Sequence, residues 1–160
     1  MIKLLLSLFF LGTAYGAQNV YLFPDQKNDF MHRFAENLRR SEGPVLVLTP
    51  SLNAPEFKKS LLKKVRSGTP IELVVSCPDG DPVSIVQYAQ VDLFVYSARP
   101  MNGSVVVFDD RHACILALPL DEARMGDEAS IGRCTEDPSE IVALKNRFLL
   151  VKKRSVPYLK

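Results

Sequence analysis

Residues 45–75 read VLVLTPSLNAPEFKKSLLKKVRSGTPIELVV, and this stretch decides the fold. Val45-Leu46-Val47-Leu48 and the run from Ile71 to Val75 are short and apolar without alternation, the mark of strands covered on both faces. Between them Phe57, Leu61 and Val65 recur at helical spacing, with Lys58, Lys59, Lys63, Lys64 and Arg66 crowding the remaining surface. Asn53-Ala54-Pro55-Glu56 has the composition of a helix start. Asn53 supplies an acceptor for a first-turn N–H, Pro55 needs no N–H partner there, and Glu56 stands at the third helical position. Gly68 is placed to end the helix. Strand, helix and strand with short joints make a βαβ unit, which sets the two strands parallel and lays helices over the sheet.

Outward from this unit the same alternation continues. Val20-Tyr21-Leu22-Phe23 is a short strand stopped by Pro24 and Asp25, and Phe30, Phe34 and Leu38 line a helix that ends before Gly43-Pro44. The second half is richer in strands. A short helix over residues 83–88 leads to a strand over 91–96. Residues 104–108 and 113–118 pair as a hairpin around Asp109-Asp110-Arg111. Asp137-Pro138-Ser139-Glu140 starts a final helix that runs through Leu144 and Phe148. No repeat or linker interrupts the pattern, so one α/β domain is expected over residues 17–160.

A chain of 160 residues has room for one domain, and 47% hydrophobic with 24% charged residues excludes a disordered or membrane-embedded class. The first sixteen residues depart from this average. Lys3 precedes an apolar run over residues 4–11 broken only by Ser7, and Ala14-Tyr15-Gly16 puts small residues ahead of Ala17. That is the grammar of a cleavable secretory signal peptide, too short to span a bilayer. The expected product is therefore periplasmic or secreted, with no transmembrane segment in the mature chain. Cleavage after Gly16 removes Lys3 and no acid, leaving 19 cations against 18 acids, so bulk charge indicates neither nucleic acid nor membrane. Cys77, Cys114 and Cys134 all survive. An odd count in an oxidising compartment leaves two readings, one bridge with a spare thiol or no bridge, and the absence of a CxxC pair speaks against a metal site. No cofactor motif is present.

The order Ser51-Leu52-Asn53-Ala54-Pro55, basic helix, Gly68, strand, late hairpin and Asp137-Pro138 helix resembles the phospholipase D superfamily, above all its small single-domain secreted bacterial endonucleases. The likeness runs from about Val20 to Phe148. It implies a mixed sheet flanked by helices on both faces, in a single phospholipase D-like domain. The family signature is H-x-K-x4-D at the late hairpin, followed by a Gly-Ser pair. The matching segment here is Asn102-Gly103-Ser104-Val105-Val106-Val107-Phe108-Asp109, with Asn102 in the histidine position, Ser104 in the lysine position and the aspartate retained as Asp109. The Gly-Ser pair falls on Ala117-Leu118, and a further acidic position falls on Ala129, beside Glu128. The resemblance also implies a homodimer, weak phosphate or nucleic-acid binding, and a bridge between Cys114 and Cys134, whose strands it places near one another.

These replacements have chemical consequences. The family reaction resembles a two-step displacement through a phosphohistidine, with lysine neutralising the phosphate oxygens. An asparagine amide has no basic lone pair with which to attack phosphorus. A serine hydroxyl at 104 brings one donor and no charge, whereas stabilising the charge that develops in the transition state usually contributes most to the rate. The sequence thus favours a binding or assembly module that has lost catalysis. The alternative is a divergent phosphodiesterase or nuclease that uses Asp109 with His112, Asn102 or Ser104. His112 lies at the hairpin turn with Asp109 and Asp110, where an acid–base or metal-binding cluster competes with an ordinary polar turn. His32 falls beside the apolar stripe of the first helix and is read as a surface or half-packed residue. The lysines of residues 58–66 are read as a solvated helix face.

The leader grammar carries its own test. Intact-mass measurement of the chain recovered from a cell-envelope fraction should give a first residue at or near Ala17, and a full-length chain retained in the cytosol would contradict it.

Overall fold

The computed structural model describes residues 18–158, so the leader read over residues 1–16 lies outside it. Ten strands and five helices follow one another. They are β1 (Gln18–Phe23), α1 (Lys27–Arg40), β2 (Val45–Thr49), β3 (Leu52–Asn53), α2 (Pro55–Arg66), β4 (Ile71–Val75), α3 (Asp81–Ile85), β5 (Val91–Val95), β6 (Ser104–Val107), β7 (Ala113–Leu116), β8 (Leu120–Asp121), α4 (Glu122–Asp127), β9 (Ser130–Thr135), α5 (Pro138–Lys153) and β10 (Val156–Pro157). Eight strands form one mixed sheet in the order β1-β9-β7-β6-β2-β4-β5-β10, and β3 pairs with β8 as a separate two-stranded ladder. The βαβ expectation holds: β2 runs parallel to β4, and β4 parallel to β5. The late hairpin holds too, with Val106 opposite Cys114 across the antiparallel β6–β7 pair. No helix among the described residues is long and apolar enough to cross a membrane.

Burial on both faces of β2 explains its unbroken apolar run. Val45 and Val47 belong to the core under α1 and α2, where Phe30, Phe34, Phe57 and Leu61 are fully enclosed. The ring of Phe34 meets Phe57 at 4.5 Å and Phe108 of the hairpin at 4.9 Å, both edge-on, the preferred geometry for aromatic pairs. Leu48 points to the opposite face, where α5 covers it with Phe148 beside Val74 and Tyr96. Ile141 of α5 packs on Val107 and Ala113. Helices therefore cover both faces of the sheet.

Three local expectations need correction. Asn53 does not cap α2: it lies in β3, and the residue preceding the helix is Ala54. The free N–H groups are taken instead by carboxylates distant in sequence. Asp81 Oδ2 accepts from Ala54 N at 3.0 Å, and Glu122 Oε1 accepts from Glu56 N at 2.9 Å. The pairing of Asn53 with Asp121 commits residue 53 to a strand and hands the capping role to tertiary partners. The short helix expected at residues 83–88 begins earlier, at Asp81, because Pro82 is accommodated in its first turn. The helix α4 and the β3–β8 ladder lie outside the expected elements, since neither carries a periodic apolar run. By contrast Gly68 has φ +88°, the left-handed conformation that a helix-ending glycine supplies, and Asp137 Oδ1 accepts from Ser139 N at 2.9 Å, capping α5 as read.

Cys114 and Cys134 are bridged. They face each other directly across the β7–β9 pair with Cα atoms 4.0 Å apart, while Cys77 is free and exposed. Peptide mapping without reductant should link Cys114 to Cys134 and find Cys77 alkylated. Replacing both bridged cysteines by serine should lower unfolding free energy by about 2–4 kcal/mol, the range for a loop of this length. A second measurement addresses the α2 terminus. Urea denaturation of Glu122→Ala should show a loss of about 1 kcal/mol, as for removal of a helix cap, and no change would mean that water replaces this carboxylate without cost.

Candidate functional site

The β6 strand separates the positions Asn102, Ser104, Asp109 and His112 into two groups. Asn102, Gly103 and Ser104 lie at its beginning, beside the end of β2. Asp109 and His112 lie beyond its other end. Five residues of extended chain span roughly 16 Å, so Ser104 and Asp109 do not meet in one pocket.

At the first end Ser104 is buried, and its hydroxyl is fully engaged. Ser104 Oγ lies 2.8 Å from Thr49 Oγ1 and donates to the carbonyl of Leu118 at 2.7 Å. Thr49 Oγ1 in turn reaches the carbonyl of Ser51 at 2.8 Å and accepts from Leu120 N at 3.0 Å. The two hydroxyl protons serve two of these three oxygen–oxygen contacts at a time, and the amide of Leu120 supplies a further hydrogen bond. Buried polar groups settle into such closed sets because an unmatched one is costly. Strand alternation puts Thr49 on the α1/α2 face with Val45 and Val47, where Ser104 and Val106 also point. The strand β8 closes over the pair through Leu120. Gly103 is required by space: a Cβ there would stand 2.4 Å from the carbonyl oxygen of Leu116. Asn102 is exposed.

Asn102 borders an open depression of about 590 Å³ on the α5 side of the sheet, lined among others by Tyr96, Met101, Val105 and the guanidinium-bearing Arg99, Arg147 and Arg154. Among the described residues no carboxylate lines it. Its character is therefore that of a concavity with an apolar floor and a cationic rim, suited to an anion.

At the far end of β6 Asp109 acts on its own turn. Its Oδ1 accepts from Arg111 N at 2.7 Å and His112 N at 3.0 Å, and lies 3.3 Å from His112 Nδ1, while Oδ2 is buried without a partner. His112 Nε2 stands 3.7 Å from Glu136 Oε1, which also accepts from Arg33 at 3.1 Å. Asp109 borders a second cavity of about 430 Å³ with Glu42, Asp110, Arg111 and Lys145. Asp110 does not join Asp109 and His112: it pairs with Lys145, whose hydrogen bond holds its carboxyl below the ordinary range. Among the described residues no group of three or more His, Cys, Asp or Glu is placed to hold a metal.

The remaining positions are occupied with structural contacts. The carbonyl of Leu118 serves Ser104, and Glu128 is spent on Arg124 at 2.6 Å, which keeps its carboxyl low. His32 is exposed on α1. Of the α2 lysines, Lys58 pairs with Asp81 and Lys64 donates to the carbonyl of Ser41. Thr49, Arg99, Arg147, Arg154 and Glu136 are not singled out by the sequence. Only Thr49 leaves a trace there, as a hydroxyl closing an otherwise apolar buried run.

No protein-family model and no curated protein matches the sequence. Solved structures do match. NucT from Helicobacter pylori superposes with a TM-score of 0.80 at 10% identity, over 89% of this chain and 99% of that one. Nuc from Salmonella typhimurium, a phospholipase D family member, gives 0.77 at 12% identity over 90% and 99%. TrmBL2, an archaeal chromatin protein with a novel mode of DNA binding, gives 0.66 at 10% identity, over 88% of this chain and 54% of that one. Both NucT and Nuc are matched over nearly their whole length. This chain shares the fold of NucT and of Nuc, the phospholipase D family member.

Proposed function

We propose that the chain is an exported, non-catalytic phospholipase D-like domain that binds a phosphate-bearing anion in the Asn102 depression. The observation that carries this reading is the closed set around Ser104: where the family has a lysine, the hydroxyl is turned into the protein and held by Thr49 and the Leu118 carbonyl. Nothing at that position is free to neutralise a phosphoryl oxygen, and Asn102 beside it offers an amide in place of a nucleophile. Groups that act as a unit in catalysis are not additive, so losing both removes nearly all acceleration. What supports binding is the rim of Arg99, Arg147 and Arg154. TrmBL2, a chromatin protein of related fold, supports the idea that this scaffold serves binding. The exported address rests on the leader grammar, and pairing of two chains rests on the family resemblance.

A second reading is a divergent phosphodiesterase. Its support is the contact between Asp109 and His112 together with the likeness to Nuc, a phospholipase D family member. One experiment separates the two: hydrolysis of a chromogenic phosphodiester and of single- and double-stranded DNA, with and without divalent metal, beside Asp109→Ala. The expected outcome is no turnover by either protein. Turnover abolished by Asp109→Ala would overturn the non-catalytic reading in favour of the Asp109–His112 pair. Binding is read separately, by calorimetry with inorganic phosphate and with a short oligonucleotide. Arg99→Ala should weaken both about three- to tenfold, the effect of one exposed charge-assisted contact, and unchanged affinity would remove the depression from the proposal.

A further inference from the structure

The helix α5 is apolar on the side that meets the sheet, through Ile141 and Phe148, and also on the side that meets water. Val142, Leu149 and Leu150 are each more than half exposed, as is Val156 of β10 just beyond the helix. Val142, Asn146, Leu149 and Lys153 follow at intervals of four, three and four residues, so they lie along one outward line of the helix. Arg147 and Arg154 flank that line.

The charge of this region is one-sided. Glu140 is the last acid in the sequence, and the twenty residues after it hold six Lys or Arg, leaving 14 cations against 18 acids in the rest of the chain. Two of the six are committed elsewhere, Lys145 to Asp110 and Lys152 to Glu72. Of the other four, Lys160 lies outside the described residues, Arg147, Lys153 and Arg154 belong to α5 or its end, and Arg99 lines the depression together with Arg147 and Arg154. The α2 lysines lack this mixture, since the apolar residues of α2, Phe57, Leu61 and Val65, are all buried.

We propose that the outer face of α5, continued by Val156, docks on an anionic lipid surface. Exposed aliphatic groups cost nothing only when they are scattered, and a set collected on one helix face marks an interaction surface. Arg147, Lys153 and Arg154, which enter no ion pair among the described residues, select a partner of negative charge. The apolar members choose between polyanions: Val142, Leu149, Leu150 and Val156 are aliphatic and offer no ring on which bases could stack, whereas they can enter the acyl boundary while arginine and lysine reach the headgroups. This surface adjoins the depression and shares Leu150, Arg147 and Arg154 with its rim, while Val142, Leu149, Lys153 and Val156 lie outside it.

Co-sedimentation tests the proposal, using the purified full chain with vesicles of phosphatidylcholine alone and of one part phosphatidylglycerol to two parts phosphatidylcholine. Expected is retention on the anionic vesicles that weakens with salt, and little on the neutral ones. The double variant Leu149→Asn, Lys153→Glu should lose at least ~tenfold in retention while its thermal unfolding and its phosphate affinity stay those of the parent. Lys59→Glu with Lys63→Glu on α2 should leave retention unchanged. Equal retention on both vesicle types would overturn the proposal. So would insensitivity to the α5 changes, which would assign any binding to the apolar run over residues 4–11, or loss through the α2 changes instead. Binding of a DNA oligonucleotide that depends on Leu149 and Lys153, without vesicle binding, would overturn the lipid proposal and make the face a nucleic-acid surface. Loss of phosphate affinity in Arg99→Ala with vesicle retention intact would show the two sites to be separate, and the reverse pattern would sink the lipid surface alone.

Discussion

The structure depends on β2 having two covered faces. A strand in the middle of a mixed sheet can leave no backbone group unpaired, and here β4 pairs along one edge and β6 along the other. Its side chains then face two separate interiors, α1 and α2 on one side and α5 on the other. This double burial demands an unbroken apolar run, and it also means that any polar atom at its end must find a partner inside the protein. Thr49 is that atom. Its bonds to Ser104, Ser51 and Leu120 tie β2, the start of β6 and the β3–β8 ladder together.

The same geometry explains why the Ser104 hydroxyl is turned into the protein. Residues at alternate positions of β6 face opposite layers, so the side chain at 104 is directed toward the end of β2 whatever its identity. A long cation there could continue past Thr49 and out of the sheet. A serine is too short to leave and becomes a partner for the threonine. The disulfide between Cys114 and Cys134 and the close approach of Gly103 to Leu116 hold β6, β7 and β9 in register around this point. Asp109 meanwhile does for the turn what a buried carboxylate in a hairpin does generally, accepting two amide protons that would otherwise be lost.

Charge is distributed against the sequence average. A chain with nearly balanced cations and acids places all of its acids up to Glu140 and only cations afterwards, and the last helix turns part of that excess outward together with aliphatic groups. Total charge therefore says little about which surfaces attract an anion. The depression lined by Arg99, Arg147 and Arg154 and the outer line of α5 are neighbours on one side of the molecule, away from the α2 lysines whose number first draws attention.

Much of the fold was legible in the residues, because periodicity reports burial directly. The unbroken runs at Val45 and Ile71, the helical spacing of Phe30, Phe34 and Leu38, and the capping carboxylate at Asp137 each act within a few residues of themselves. What local reading could not supply were interactions joining distant positions. Glu122 serves the amide of Glu56, 66 residues earlier, Thr49 meets Ser104 across 55, and Glu136 lies between Arg33 and His112. By itself the sequence determined that a βαβ core would form, that its motif strand bore Asn102 and Ser104, and that Asp109 would sit in a turn. Only the tertiary structure decided that Ser104 is spent internally, that Asp109 stands at the opposite end of the strand, and that three arginines converge near Asn102. Hydrogen bonds and charges act across a few ångströms of space, and the distance along the chain does not tell which residues will be that close.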